Sequence, residues 1–355
     1  MKLIAYYLPQ FHEIQENNEW WGEGFTEWDN VKKAKPLFKN HRQPIEPEQY
    51  YNLMEKEVVE HQTELMNESG IYGFCYYHYW FSGRKILEKP AENLLRWKNI
   101  NQKFMFCWAN HSWKKTWNGT NEILINQEYG NLEEWEDHIN YLLPFFKDER
   151  YIKVDDKPVI MLYSARDIPN LNERIEFYNR KCLEEGFSGI YIIESLNSVK
   201  SKKISKQSSA VVLREPAVAL SNQNKMKKIL RYITSRPQKN YLYLVTKYKY
   251  SKIIEDSIYY AKYMKEEGEG KVYLGAFTGW DSTPRHIRRG YVIQNNKKNS
   301  FKNYLLSLKE ISSEDDLLFI NAWNEWSEGM ILEPERNSKI NLLEEVKEFY
   351  NECKI

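Results

Sequence analysis

Residues 317–329 read LLFINAWNEWSEG. The segment begins with an apolar run, residues 317–323, that does not alternate regularly with polar residues, which is typical of a strand buried on both faces, as in a parallel sheet. It continues into a polar stretch that contains two carboxylates, Glu325 and Glu328. A doubly buried strand that ends in such side chains indicates an α/β fold whose site lies at the ends of its strands.

Seven similar runs precede this one. They lie at residues 3–8, 71–80, 104–109, 159–163, 190–194, 210–213 and 272–277. Segments with helical periodicity separate several of them, at residues 53–69, 132–146, 171–185, 253–265 and 301–311. Glycines stand where helix C-caps belong, at Gly70, Gly186 and Gly268. Eight strands with intervening helices predict a (β/α)8 TIM barrel, with a doubly wound open sheet as the alternative.

The sequence between these runs contains no linker and no repeat, so we expect residues 1–355 to form one domain. No GxGxxG or Walker A loop follows a run, which disfavours a nucleotide-binding site. The four cysteines are scattered without metal-ligand spacing, which favours buried free thiols in a reducing compartment. The first residues lack the features of a signal peptide and no apolar run is long enough to span a membrane, so we expect a cytoplasmic protein.

The charge of the chain is balanced, with 51 Lys and Arg against 50 Asp and Glu. A net charge of +1 gives no overall attraction to nucleic acid, and we expect no nucleic-acid partner. Residues 198–252 depart from this balance, because they contain fourteen basic residues and one acid, Glu215. A solvated basic face is the simplest interpretation. Peripheral contact with a membrane surface, a lipid-linked phosphate or an anionic glycan is the alternative.

Aromatic residues make up 15% of the chain, and Trp is clustered. Trp and Tyr combine an apolar face with a polar edge, which suits stacking against sugar rings. A bias in the genome's composition is the alternative for the tyrosines. Because barrels of this type carry their site at the carboxyl ends of the strands, we expect the segments after the runs to converge on one cleft that binds an oligosaccharide or polysaccharide.

The candidate residues for sugar binding come from those segments. They are Tyr7, Gln10, His12, Trp21, Glu27, Tyr77, His78, Trp80, Trp108, Asn110, Trp113, Trp280, Asp281 and Asn324. His78 and His111 have no partner at metal spacing, so hydrogen bonding to sugar hydroxyls or a structural role is favoured over a metal site. For Asp281 and Arg285 a salt bridge between the two and contact with substrate are both open.

Glu325 and Glu328 are the candidates for catalysis. Cleavage of a glycosidic bond uses two carboxyl groups, one to protonate the leaving oxygen and one to act as base or nucleophile. Closely placed carboxylates push their pKa values apart, so that one of them holds a proton near neutral pH. The alternative is a helix whose first turn carries two acids. The flanking Trp323 and Trp326 and the position after a strand favour catalysis.

Five separated blocks carry a family resemblance: AYYLPQFH at 5–12, WWGEGFTEW at 20–28, FCYYHYW at 74–80, CWAN at 107–110 and NAWNEWSEG at 321–329. Together they resemble the WbsX-like proteins, which are related to glycoside hydrolase family 99, the endo-α-mannosidases. The resemblance implies a (β/α)8 barrel that acts on glycans without a metal or other cofactor. It also implies a place in the biosynthesis of bacterial O-antigen or capsule.

Residues 324–329 are similar to the family 99 motif NEWxEG. The resemblance implies that Glu325 is a base toward the sugar 2-hydroxyl, through a 1,2-anhydro intermediate with net retention, and that Glu328 is the general acid. The third strand is followed by ANHSW where WbsX-like proteins commonly have ANENW, so that His111 replaces an acid. A glycosyltransferase or transglycosylase of polysaccharide biosynthesis and a glycan-binding barrel without catalysis are the alternative functions.

Overall fold

Eight parallel strands close into a barrel in the computed structural model, which describes residues 1–115, 122–221, 245–287, 290–295 and 297–353. The strands are β1 (Lys2–Tyr7), β2 (Gly73–Phe81), β3 (Phe104–Trp108), β4 (Lys157–Leu162), β5 (Tyr191–Leu196), β6 (Ala210–Leu213), β7 (Lys271–Phe277) and β8 (Leu317–Asn321). Each strand pairs in parallel with the next, and β8 pairs in parallel with β1. The predicted TIM barrel is therefore confirmed.

Eleven α-helices lie in the described ranges. They are α1 (Gln15–Trp21), α2 (Trp28–Lys33), α3 (Lys56–Glu68), α4 (Lys89–Arg96), α5 (Leu132–Phe146), α6 (Leu171–Glu184), α7 (Ala217–Ser221), α8 (Tyr250–Glu267), α9 (Thr283–His286), α10 (Ser300–Lys309) and α11 (Leu342–Cys353). Helix α5 begins where the Asn131 side chain accepts hydrogen bonds from two backbone amides of the first turn. Gly70 and Gly186 follow α3 and α6 with positive φ, whereas Gly268 after α8 is extended.

Short elements decorate the loops on the barrel. The further strands are Arg84–Ile86, Trp113–Lys115, Glu122–Ile125, Lys153–Val154, Thr246–Lys249, Trp280–Asp281, Tyr291–Gln294, Asn324–Glu325 and Met330–Ile331. In the part of the chain that the structure describes, 3-10 helices span Ala165–Asp167 and Trp326–Glu328. The second of these lies within the WSE segment of the predicted catalytic motif, so the two acids do not begin an α-helix.

Side chains of the barrel strands alternate between the interior and the surrounding helices. The strand registers place Tyr6, Tyr77 and Met161 on the inner side, and the Tyr6 hydroxyl donates to the Met161 sulfur at 3.1 Å. Their sequence neighbours point outward: the Tyr7 hydroxyl donates to Gln62 of α3 at 2.6 Å. This alternation decides which aromatic residues reach the open end of the barrel.

Other sequence-based predictions concern membrane contact, cellular location and domain organisation. Within the described ranges, none of the helices has both the length and the apolar character that a membrane crossing requires. The cytoplasmic location stays a prediction, as does the assignment of residues 1–355 to one domain. Of the basic region 198–252, residues 222–244 lie outside the described residues, and its contact with a membrane also stays a prediction.

Candidate active site

A cavity of about 610 Å³ opens at the carboxyl ends of the barrel strands. Its wall contains residues at or just beyond the ends of β1, β2, β3, β4, β6 and β8, including Leu8, Tyr79, Tyr163, Arg214 and Asn321. The volume lies in the usual range for a site that encloses a small ligand. The end of the barrel where TIM-barrel enzymes carry their chemistry is thus concave in this chain.

Seven of the predicted site residues line this cavity. They are Gln10, Tyr77, Asn110, Trp113, Trp280, Glu325 and Glu328. The Asn110 amide is committed to the protein, because its Nδ2 donates to the Ser164 carbonyl at 2.8 Å and its Oδ1 accepts from the Ser164 amide at 2.9 Å. By contrast, Gln10 Nε2 and Trp280 Nε1 are buried donors without an acceptor among the described residues. Both donors belong to residues of the cavity wall.

Four predicted residues lie behind the wall because they occupy outward positions of the strands: Tyr7, His78, Trp80 and Trp108. His78 and Trp80 pack against α5, where His78 Nε2 lies 2.9 Å from His138 Nε2 and the Trp80 indole donates to Glu134 at 2.6 Å. Trp108 lies edge-on to the same His138 ring. These side chains fix the helix against the barrel and support the cavity from outside.

The other predicted residues hold the loops above the barrel. The Asn324 amide bonds both backbone groups of Leu8, accepting from its N–H at 2.7 Å and donating to its carbonyl at 3.0 Å. His12 is buried, and burial lowers its pKa to about 4. Trp21 ends α1 with its ring centroid 6.0 Å from that of Phe25.

Asp281 pairs with His41 rather than with Arg285. Its carboxylate lies 2.7 Å from His41 Nε2 and accepts from Gln43 Nε2 at 2.8 Å. Both partners precede α3 in the sequence, so Asp281 holds that loop to the segment after β7. The salt bridge that the sequence left open between Asp281 and Arg285 is not the one that forms.

Arg285 instead lies at the centre of three carboxylates. Its guanidinium binds Glu27 at 2.6 Å, contacts Glu328, and lies 3.7 Å from Glu325. Glu27 is fully buried and also accepts from the Ser327 hydroxyl. Burial lowers the pKa of Arg285, but the three carboxylates more than offset this and hold that pKa above its ordinary value.

Three acids against one guanidinium leave an excess of negative charge in the cavity floor. Burial raises the pKa of Glu325 to about 8, and the charges of Glu328 and Glu27 add to this while Arg285 opposes it. Glu325 Oε2 is buried and receives no hydrogen bond from the described residues. The raised pKa favours the protonated form of Glu325 in the free protein, whereas the Glu328 carboxylate contacts the Arg285 guanidinium.

Glu333 orients the two tryptophans that flank the carboxylates. Its buried carboxylate accepts from the indole N–H groups of Trp323 at 3.0 Å and Trp326 at 2.8 Å. Tyr51 and Gln62 donate to the same group at 2.7 and 2.5 Å. Burial raises the pKa of Glu333 to about 7, while these hydrogen bonds oppose the shift. The sequence-based candidates omit Glu333 because nothing in its immediate neighbourhood marks it.

The candidates also omit Tyr79, Tyr163 and Arg214, which line the cavity. A usable signal was present. With Tyr77 facing inward, period-2 alternation places Tyr79 inward, and the registers extend this to Tyr163 and Arg214 beyond β4 and β6.

Among the described residues, no group of His, Cys, Asp and Glu is arranged to hold a metal ion.

A sequence model of the family described as "Glycosyltransferase WbsX" matches residues 3–346. The chain belongs to the WbsX family. The chain is also 29% identical over 343 residues to "Uncharacterized protein WxcX" of two strains of Xanthomonas campestris pv. campestris. That match covers 94% of this WbsX-family chain and 47% of the relative, so the chain spans about half the length of the curated relatives it matches.

The barrel of this WbsX-family chain is similar to solved structures at low sequence identity. A glycoside hydrolase-like protein superposes with a TM-score of 0.62 at 14% identity, covering 98% of this chain and 93% of that protein. The GH99 endo-alpha-mannosidase from Bacteroides thetaiotaomicron superposes with a TM-score of 0.59 at 12% identity, covering 99% and 97%. At this identity the similarity concerns the fold.

Proposed function

We propose that this WbsX-family chain is a retaining, endo-acting glycoside hydrolase that cleaves a bacterial surface polysaccharide or its repeat unit during O-antigen or capsule biosynthesis. The supporting observation is the pair Glu325 and Glu328 in the wall of one cavity, both beside the guanidinium of Arg285, with a raised pKa at Glu325. Two carboxyl groups in different surroundings, beside aromatic walls, are what cleavage of a glycosidic bond requires.

Glu325 serves as the base in this proposal. A carboxylate with a raised pKa is a stronger base than an ordinary one. The pKa of Glu325 lies close to neutral pH, where general bases work best. Attack by the sugar 2-hydroxyl needs such a base, because a hydroxyl gives up its proton reluctantly. Because the raised pKa favours protonated Glu325 in the free protein, the active complex must ionise this residue.

Glu328 serves as the acid. Its side chain is more exposed than that of Glu325, with 18% against 8% of its surface accessible, so it is better placed to meet a leaving oxygen. In the free protein it is paired with Arg285. A glycan entering the cavity competes for that guanidinium and desolvates the carboxylate, and both changes favour protonation of Glu328. The proton then passes from one carboxyl group of the pair to the other, with no change in the net charge of the site.

The test is product analysis with matched variants. Glu325→Gln and Glu328→Gln are expected to fold and to lose about 10²–10⁴-fold in kcat on the surface polysaccharide of the source organism. Glu335→Gln is the control, because Glu335 pairs with Arg42 at 2.5 Å and is not part of the cavity wall. Newly formed reducing ends are quantified, and the anomer first released is read by NMR. Full activity of either cavity variant excludes the proposal.

An activated substrate separates the two roles. A leaving group that departs without a proton is expected to rescue Glu328→Gln and not Glu325→Gln. Rescue of Glu325→Gln instead would reverse the assignment, with Glu325 as the acid and Glu328 as the base. The raised pKa of Glu325 in the free protein is also compatible with that assignment. Inversion at the anomeric centre would exclude the 1,2-anhydro route.

A glycosyltransferase or transglycosylase is the second candidate, because the family is described as a glycosyltransferase. The same cavity and acid pair serve transfer if a sugar hydroxyl replaces water as acceptor. Mass spectrometry of the products distinguishes the two: hydrolysis adds one water per cleaved bond, whereas transfer lengthens some chains and creates no net reducing ends.

A further inference from the structure

Arg214 follows β6 and lines the same cavity as the carboxylate pair. Its guanidinium stacks on the Tyr163 ring, with the central carbon 3.9 Å from the ring centroid. This contact restrains the planar head group of an arginine that stands next to open space. Tyr163 in turn lies within electrostatic reach of Arg214, Glu325 and Glu328, so Arg214 and the reacting carboxylates belong to one site.

The cation of Arg214 is not neutralised within the part of the chain that the structure describes. It makes no ion pair there, and its Nη1 atom is buried without a hydrogen-bond acceptor. Two other arginines with little exposed surface, Arg174 and Arg285, are paired with carboxylates. A buried N–H donor without an acceptor carries an unrecovered desolvation cost.

Two acids of the cavity wall accept hydrogen bonds within the protein and make no ion pair with Arg214 among the described residues. The Glu215 carboxylate accepts from the backbone amide of Ala219 at 3.0 Å, and burial raises its pKa to about 7. Asp167 accepts from the Ser164 hydroxyl at 2.6 Å. Arg214 therefore presents a positive group in the wall of the cavity that also contains Glu325 and Glu328.

We propose that Arg214 binds an anionic substituent of the glycan, a carboxylate or a phosphate, so that the substrate class is an acidic polysaccharide. The proposal rests on the hydrolase function proposed above and names its substrate. Guanidinium binds both anions through paired N–H donors, and the stacked Tyr163 holds the fork in place. Because three acids surround the single cation of Arg285, an anion is disfavoured next to the acid pair, and the acidic sugar occupies a position beside the cleaved sugar rather than the cleaved position itself.

The test measures binding and does not depend on turnover. The probes are methyl glycosides in the gluco, galacto and manno configurations, each as the neutral sugar, the uronate and the 6-phosphate. Dissociation constants are measured by ligand-observed NMR for the wild type, Arg214→Met, Arg214→Lys and Lys114→Met. Lys114 is the matched control because it is a second cation of the cavity wall.

In the wild type, at least one uronate or 6-phosphate is expected to bind about 10-fold more tightly than its neutral partner, which corresponds to about 1.4 kcal/mol. Arg214→Met should abolish this ratio, Arg214→Lys should retain part of it, and Lys114→Met should leave it intact. The uronate and phosphate arms show which anion is preferred. If no anionic probe binds more tightly than its neutral partner, or if the ratio survives Arg214→Met, the proposal is wrong, whatever the outcome of the hydrolysis experiments.

Discussion

The guanidinium of Arg285 binds the carboxylate of Glu27 at 2.6 Å, although the two residues are 258 positions apart in the sequence. The same guanidinium contacts Glu328 and lies 3.7 Å from Glu325. One cation thus ties the loop after β1 to the loop after β8 and sets the charge that the acid pair experiences. Its removal affects both the architecture of the cavity and the distribution of protons within it.

The first prediction concerns this cation. Arg285→Lys keeps the charge but loses the planar guanidinium, so the cation stabilises ionised Glu325 less well. The pKa of Glu325 then rises further above about 8. If ionised Glu325 is the base, the rising limb of kcat/KM against pH should move to higher pH. Arg42→Lys, which alters a pair outside the cavity, should leave the profile in place. An unchanged limb in Arg285→Lys would separate Arg285 from the ionisation of the base.

The second prediction is that ionised Glu325 destabilises the folded protein at alkaline pH. A carboxyl group whose folded pKa lies above its unfolded value favours the folded state while protonated, and that contribution is lost as pH rises from about 4.5 to about 8. Glu325→Gln is therefore expected to match the wild type at pH 5 and to melt about 2–5 °C higher at pH 8.5. Thermal melts at both pH values, with Glu335→Gln as control, measure this. A lower melting temperature for Glu325→Gln at pH 8.5 contradicts the charge arrangement described.

The buried pair His78 and His138 should make the fold sensitive to acid. Arg174 donates to the Tyr178 hydroxyl at 2.9 Å, and Tyr178 lies 2.8 Å from His138 Nδ1, so the chain of hydrogen bonds favours neutral rings. Burial lowers the pKa of His78 to about 3 and that of His138 well below its ordinary value. Stability present above about pH 6.5 is then lost as pH falls toward these values, by about 1.4 kcal/mol per pH unit for each histidine.

His78→Phe removes one of these protonation sites. The slope of unfolding free energy between pH 6.5 and 5 should change by about 1.4 kcal/mol per pH unit relative to the wild type. Urea denaturation across that range gives the slope, and the difference between variants cancels the opposite contribution of buried carboxyl groups. His61→Gln, at an exposed position, is the control. Equal slopes in the wild type and His78→Phe would show that His78 is charged in the folded protein.

Glu333 should act on catalysis through the tryptophans that it holds. Glu333→Gln replaces one accepting oxygen with a donor that faces the indole N–H groups of Trp323 and Trp326. We expect a loss of about 1–3 kcal/mol in stability and a fall in kcat with little change in KM, since the flanks of the acid pair move while the rest of the wall remains. Glu335→Gln should show neither effect. A variant that loses stability yet keeps kcat would limit Glu333 to a structural role.

The sequence was sufficient to predict the barrel because each strand is apolar on both faces. The runs at 159–163 and 210–213 nearly coincide with β4 (Lys157–Leu162) and β6 (Ala210–Leu213). The run at 317–323 is longer than β8, which ends at Asn321, because the apolar residues continue into the loop that carries the acid pair. Composition marks a buried segment, whereas hydrogen bonding determines where the strand ends.

The cavity wall was harder to predict because neighbouring residues in a strand face different environments. Tyr77 lines the cavity, and His78 packs against α5. Both belong to the same aromatic run, so residue type alone does not distinguish them, whereas the phase of the alternation does. The pairing of Arg285 with Glu27 required the folded chain, since no local pattern relates two loops 258 residues apart.

The two hydrogen bonds between Asn324 and Leu8 also bear on the order in which the chain assembles. They join residues 316 positions apart, so during synthesis β1 emerges long before the segment that completes it. Contacts this distant form late, after the intervening strands have been assembled. A nascent chain that ends before β8 lacks Asn324, and therefore these hydrogen bonds, and it also lacks Glu325 and Glu328. The cavity therefore receives its acid pair only when the barrel closes.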